Sequence, residues 1–404
     1  MDKETTAILQ TLKAKEPVMI EQLITWSHIN SGSTHLKGLH RMREALRDVF
    51  LPVMDTCEQH TLPPIQTLTL SGEEKQQLTG DLLFLRKRPS LKRRILLTGH
   101  MDTVFDEHHP FQTPVMLHEN TLNGPGVADM KGGLVVMLHA LTAFETLPIA
   151  QTLGYDIILN ADEELGSPAS SHFFETITHP YEAAFVYEPA MDSEGTLAKN
   201  RKGSGKLTLI ATGKTAHAGR DFYEGRNAIV YLAEVIVALH ALNEQQEGIT
   251  LNIGQIRGGE ALNVVPDQAL IKIDVRITQP SDEHWVREQI KIIFDRFKRP
   301  DYTLTLHGDF ARPVKRVDTP TVALFERAHI VGQKLGLNLT WKDSGGCCDG
   351  NNLARLGLPV LDTLGVRGGN IHSQHEFVLL DSLVERAALT ALLMQDIAEQ
   401  GLSS

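Results

Sequence analysis

Residues 95–102 read Ile-Leu-Leu-Thr-Gly-His-Met-Asp, a short apolar run followed by two groups able to ligate a metal, His100 and Asp102. A buried strand that ends on polar ligands belongs in an open α/β sheet, where the crevice outside the carboxyl ends of the strands gathers residues far apart in sequence. The pattern recurs along the chain. Asp129 stands in Gly-Pro-Gly-Val-Ala-Asp-Met-Lys-Gly-Gly, Glu163 and Glu164 follow Tyr-Asp-Ile-Ile-Leu-Asn, Glu188 follows Ala-Ala-Phe-Val-Tyr, and His372 follows Val-Leu-Asp-Thr-Leu-Gly. Imidazole and carboxylate without thiolate suit a borderline cation, Zn²⁺ first, whereas a purely oxygen set points to Mg²⁺ or Ca²⁺. One carboxylate can bridge two ions about 3.5–4 Å apart, and Asp129 is the candidate bridge.

Working outward, 95–98, 156–159 and 183–187 read as short buried strands, and 133–144 as a helix too apolar for a surface position. This is an α/β pattern. Between about 206 and 308 the style changes: a strand at 206–212, a helix over 227–243, strands at 249–256 and 268–277, a helix over 282–297 and a strand at 302–307. The order β-α-β-β-α-β is the ferredoxin-like arrangement. After Pro313 the α/β style resumes, with helices at 321–335 and 382–397 and a strand at 359–364. The expected organisation is a catalytic α/β domain, 1–202 and 313–404, interrupted by a small domain over 203–312.

At 404 residues two domains are the prior, and 42% hydrophobic with 22% charged residues describes an ordinary globular chain. A net charge of −11 argues against a polyanionic partner such as nucleic acid. The one basic run, 85–94, is broken by Pro89 and reads as a solvated connector. Three cysteines, Cys57, Cys347 and Cys348, make no disulfide framework and fit a reducing compartment. The opening Met-Asp-Lys-Glu-Thr-Thr leads into a helix-like pattern with no secretory h-region, and no stretch approaches the ~20 apolar residues of a membrane span. The expectation is a cytoplasmic protein without membrane or nucleic-acid partners.

Each motif has competing readings. Asp102 can hold His100 by its second ring nitrogen, fixing its tautomer. The glycine run at 124–126 fails as a dinucleotide loop because Asp129 takes the place of the last glycine, where a carboxylate repels pyrophosphate. Glu163 and Glu164 point in different directions, so one carboxylate can hold metal while the other takes a proton, the pairing that general-base hydrolysis requires. In Ile-His-Ser-Gln-His-Glu-Phe the motif does not choose between His372 and His375. His108 and His109 read as exposed polar residues, Cys347 and Cys348 as small buried or loop residues, and Ser204 lacks the spacing of a nucleophile elbow.

Taken together, Gly-His-Met-Asp-Thr-Val, Gly-Pro-Gly-Val-Ala-Asp-Met-Lys-Gly-Gly, Asp-Glu-Glu-Leu-Gly-Ser, Tyr-Glu-Pro, Gly-Lys-Thr-Ala-His-Ala-Gly and His-Ser-Gln-His-Glu-Phe resemble the di-zinc metallopeptidases that include bacterial glutamate carboxypeptidase, aminoacylase and succinyl-diaminopimelate desuccinylase. The similarity runs from about residue 90 to the C-terminus and is nearest the glutamate carboxypeptidase branch. It implies a zinc-peptidase-like catalytic domain with an inserted lid or dimerisation domain, and two Zn²⁺ per subunit. His100 and Glu188 then hold one zinc, Glu164 and His372 the other, with Asp129 between them. Asp102 orients His100 and Glu163 is general base and acid. The resemblance settles the histidine tie in favour of His372.

From the lid, His217 matches a histidine that in relatives crosses a dimer to support the oxyanion, and Asn263 and Arg276 match positions that grip the substrate's carboxylate end. Alternation supports Arg276 independently, since Ile271, Ile273, Val275 and Ile277 share one strand face and leave Arg276 on the other with Lys272 and Asp274. A guanidinium so placed can bind a carboxylate bidentately. Gly345, in Ser-Gly-Gly, and Arg312, before Pro313, resemble substrate-side positions of the same branch. The implied activity is hydrolysis of an amide bond to an amino acid with a free carboxylate, by a homodimer. The rival readings are an N-acyl amino acid deacylase and a catalytically silent binding protein on the same fold.

Overall fold

The computed structural model describes residues 3–69, 72–177 and 181–402, so the first two residues of the amino-terminal stretch lie outside it. The chain divides into two compact units, Met1–Ile65 with Leu78–Asn200 and Lys315–Ser404, and Gln66–Gln77 with Arg201–Val314. The segment Gln66–Gln77 thus groups with the inserted unit rather than with the sequence around it, and Lys272 Nζ donates to Leu68 O at 3.1 Å.

In the first unit a six-stranded sheet runs in the order Thr56–His60, Leu82–Lys87, Gly154–Asn160, Arg94–His100, Ala183–Val186, Val360–Leu361. Pairing is antiparallel at the first two junctions and parallel at the remaining three. Strand alternation sorts the apolar residues onto two faces. Ile95, Leu97, Ile157 and Phe185 belong to one core with Leu134 and Leu141 of helix Lys131–Phe144 and Leu389 of helix Asp381–Gln400. Leu96, Ile158, Ala184 and Val186 belong to a second core with Phe174 and Leu353. Being covered on both faces is why these strands read as continuous apolar runs. Helix Lys131–Phe144 is buried along nearly its whole length, which explains its lack of a polar face. Phe185→Ala is expected to cost about 3–5 kcal/mol of stability, read as a lower denaturation midpoint in urea.

Two expectations need correction. The basic run at 85–94 is not a solvated connector. Arg86 lies in a strand with its Nε 3.5 Å from Asp156, Arg88 reaches Glu145 at 2.6 Å and Leu153 O at 2.8 Å, and Arg94 is fully buried against Asp156. Charge density alone did not reveal it, because the acidic partners lie on strand Gly154–Asn160 and in the turn after helix Lys131–Phe144. The strand expected at 359–364 is only Val360–Leu361, since Thr363 turns the chain with φ of 60° and the Asp362 carboxylate is drawn to buried Lys315 at 3.3 Å.

The inserted unit is a four-stranded antiparallel sheet in the order Thr250–Gly258, Gln268–Ile277, Gly203–Thr212, Thr303–Arg312. Helices Ala228–His240 and Pro280–Phe297 supply Leu232, Val235, Val286 and Ile290 to one core with Ile271, Ile273 and Val275. Asn227 caps the first helix by accepting from Val230 N, and Gln279 with Asp282 forms a capping box on the second. No helix among the described residues is long and apolar enough to cross a membrane.

Candidate metal centre

Strand Arg94–His100 is buried throughout and ends on His100, so its last side chain emerges where the parallel strands stop. The neighbouring strand ends at Asn160 and passes into a 3-10 turn, Glu163–Leu165, while Glu188 follows strand Ala183–Val186. Three strands therefore deliver ligand candidates to one edge. Asp129 and His372 arrive separately, on the loop before helix Lys131–Phe144 and on a loop where His372 has φ of 62°.

These side chains converge. His100 Nε2 lies 3.2 Å from Asp129 Oδ1 and 3.8 Å from Glu188 Oε1, and His372 Nε2 lies 3.3 Å from Asp129 Oδ2 and 3.1 Å from Glu164 Oε2. Asp129 thus turns one carboxylate oxygen to each histidine. Ligand atoms of His100, Asp129 and Glu164 all lie within 4.8 Å of one another, as do those of His100, Glu163 and Glu188. His375 is exposed with its N–H on Ser373 Oγ, Cys348 is buried at the start of a short helix, and among the described residues no such group contains a cysteine.

Asp102 ties the ligands together. Its Oδ1 lies 3.3 Å from His100 Nδ1 and accepts from Glu163 N at 3.2 Å, and its Oδ2 accepts from Glu164 N at 3.1 Å and Ser33 Oγ at 2.7 Å. Ser33 was missed in the sequence, where a lone serine before a helix carries no signal. Glu376 was also missed as a functional residue. It is buried, and its carboxylate accepts from the N–H groups of Gly126, Ala128 and Asp129 at 3.0, 2.9 and 3.0 Å.

The electrostatics are those of crowded carboxylates. Burial works against a charged His100, yet its bonds to Asp102 and Asp129 hold its pKa well above the usual imidazole value. Bonds to Asp129 and Glu164 push His372 up to about 11. Burial would raise Asp129, but the two histidines outweigh it and keep the carboxyl below the ordinary range. Burial and the Asp129 charge together raise Glu164, and burial pushes Glu376 up to about 8. Such a set attracts positive charge to the space between Nε2 and carboxylate oxygens, where a divalent cation competes with protons for the same lone pairs. Imidazole plus carboxylate fits zinc, and a carboxylate facing both histidines fits two ions. Asp102→Asn is expected to weaken metal binding at His100 about 10–100-fold, measured by chelator competition.

In the inserted unit, strand Ala216–His217 pairs with Val264–Val265, so His217 and Asn263 come together although distant in sequence, and Asn263 O accepts from Ala218 N at 2.9 Å. His217 is exposed, and its Nδ1 accepts from Gly219 N and Arg220 N at 3.1 and 3.2 Å, which leaves the ring proton on Nε2. Arg276 projects from the face opposite the core as alternation predicts, and its guanidinium is paired with Asp274 at 2.6 Å. Arg312 is buried and aligned with Ser204 in the sheet. In the first unit Gly345 is exposed, with open space around its Cα.

The sequence profile of Peptidase family M20/M25/M40 matches residues 96–396. Carboxypeptidase G2 of Pseudomonas sp. (strain RS-16) is 25% identical over 403 residues, covering 98% of this chain and 93% of its own. Acetylornithine deacetylase of Salmonella arizonae is 30% identical over 198 residues, covering 45% of this chain and 50% of its own. Among solved structures, a tripeptidase from Staphylococcus aureus superposes with a TM-score of 0.72 at 21% identity, covering 95% of this chain and 99% of its own, a likeness of fold.

Proposed function

Since the chain belongs to Peptidase family M20/M25/M40 and is a metal-dependent hydrolase, we propose that it is a two-zinc carboxypeptidase that releases an amino acid with a free α-carboxylate from a small peptide or acyl conjugate. The observation that carries this reading is Asp129, with one carboxylate oxygen toward His100 and the other toward His372. His100 and Glu188 would hold one ion and Glu164 and His372 the other, with Asp129 shared. When bound, the metals supply Lewis-acid polarisation of the scissile carbonyl and acidify the attacking water.

The chain's own residues do the rest. Glu163 accepts the proton of the attacking water on a carboxylate oxygen and passes it to the departing amine nitrogen. Asp102 keeps the His100 ring in register while its other contacts fix the backbone of Glu163 and Glu164. The inserted unit serves as lid and dimerisation domain. Its helix Ala228–His240 exposes Val230 and Val237, and strand Thr250–Gly258 is an edge strand, features suited to joining a second copy. His217, with its proton on Nε2, would donate to the oxyanion of the partner's site. Asn263, Arg276, Arg312 and Gly345 would receive the substrate, with Arg276 exchanging Asp274 for the substrate carboxylate.

The match to an acetylornithine deacetylase over half of that enzyme favours one second reading, an N-acyl amino acid deacylase. Hydrolysis of a panel of dipeptides and N-acetyl amino acids by the zinc-loaded protein decides between them. Faster cleavage of dipeptides is expected, and all activity should disappear with a chelator and return with zinc. Activity untouched by metal removal, or a fully active monomer in solution, would count against the corresponding part of the proposal.

A further inference from the structure

The glycine-containing loop before helix Lys131–Phe144 has the form of an anion-binding nest. Gly126 has φ of 72°, and the N–H groups of Gly126, Ala128 and Asp129 converge on one point, as such loops do around phosphate or carboxylate. Here the anion is internal. Glu376 Oε1 takes the N–H groups of Ala128 and Asp129, and Oε2 takes that of Gly126. The Glu376 backbone holds the same loop from its other end, its carbonyl accepting from Gly124 N at 3.3 Å and Asn123 Nδ2 at 2.6 Å. Strand Phe377–Leu379 then pairs antiparallel with Thr121–Asn123.

The consequence lies in what the two loops carry. One ends on Asp129, the other contains His372, and His372 Nε2 faces Asp129 Oδ2 at 3.3 Å. Three of the hydrogen bonds joining these loops come from a single carboxylate.

We propose that Glu376 is a positioning residue that sets the separation of Asp129 and His372, and through it the occupancy of the metal site formed by Asp129, Glu164 and His372. The inference rests on the two-metal reading above. Glu376 belongs to neither group of candidate metal ligands, and its carboxylate oxygens are directed to the three N–H groups. Its effect passes through the Asp129 backbone and the loop that carries His372, and since only the His372 side draws two ligands from the loops that Glu376 joins, its loss should loosen that side more than the His100 and Glu188 side.

The experiment compares wild type, Glu376→Ala and Glu376→Gln, each titrated with cobalt(II) and followed by the visible ligand-field spectrum, with amide exchange of residues 124–130 measured in parallel. Glutamine keeps a carbonyl acceptor for Ala128 and Asp129 and loses the acceptor for Gly126, so it should lie between the other two. In Glu376→Ala the second equivalent of cobalt is expected to bind about 10–100-fold more weakly, with faster exchange at Ala128 and Asp129, a first equivalent weakened much less than the second, and a fall in kcat without a matching rise in KM. Glutamine should restore most of the second-equivalent spectrum. If the alanine variant does not fold, the glutamine variant alone decides, through its weakened second equivalent and faster Gly126 exchange. Two equivalents bound with wild-type affinity and spectrum in the folded variants overturn the inference. A wild type that binds fewer than two equivalents overturns the two-metal reading instead, so the two failures are told apart.

Discussion

Replacing Glu163 by glutamine is expected to lower turnover by about 10²–10⁴-fold while the protein keeps its full complement of metal. Glutamine preserves the size of the side chain and the Glu163 N–H bond to Asp102, so the 3-10 turn Glu163–Leu165 should persist. What disappears is the ability to take a proton. The geometry also allows a competing role, because a Glu163 oxygen falls within 4.8 Å of His100 and Glu188 ligand atoms. A carboxylate used as a ligand would cost metal when made an amide, whereas one used as a base would cost rate alone. Zinc content measured beside kcat therefore separates the two. Near-normal turnover with zinc retained would remove Glu163 from both roles.

The same site shows what a sequence discloses and what it hides. Asp102, Glu163 and Glu188 were readable because each follows an apolar run whose direction and length fix where the strand ends, and the strands at Arg94–His100, Gly154–Asn160 and Ala183–Val186 bear this out. Arg276 was placed on its face by alternation alone. Strands Thr56–His60 and Leu82–Lys87 escaped notice for opposite reasons. The first is a polar edge strand with no apolar signal, and the second runs into the arginine cluster whose acidic partners lie elsewhere in the chain. Ser33 and Glu376 act through hydrogen bonds to residues distant in sequence, and although Glu376 stands in the His-Ser-Gln-His-Glu-Phe motif, nothing local in that motif says that its carboxylate reaches residues 126–129. Tertiary hydrogen bonds of this kind leave no local pattern. The glycine run at 124–126 combines both cases, since its anion-nest shape was foreshadowed by the dinucleotide decoy while its true occupant, a glutamate from the last tenth of the chain, was not.

Asp129→Asn should have the largest effect of any single change at the centre. The two oxygens of Asp129 face different histidines, and an amide offers one oxygen, one N–H₂ group and no charge. Whichever way the amide turns, one histidine meets a donor where an acceptor stood, and that side of the centre loses its shared ligand. Metal assistance is worth several kcal/mol of transition-state stabilisation, and each ~1.4 kcal/mol is tenfold in rate, so turnover should fall by at least about 10³-fold. Metal content should drop together with activity, in contrast to Glu163→Gln, and excess zinc should restore little of either. Asp129 is also the point where the Glu376 nest, the two histidines and the repulsion on Glu164 meet, so one charge balances contacts from several directions. Removing that charge should therefore relieve Glu164 of its acidic neighbour and weaken the pull on both imidazoles at once. If Asp129→Asn keeps two equivalents of zinc and more than about a tenth of the wild-type turnover, a change worth no more than ~1.4 kcal/mol, then the carboxylate does not join two ions and the shared-ligand reading of Asp129 fails.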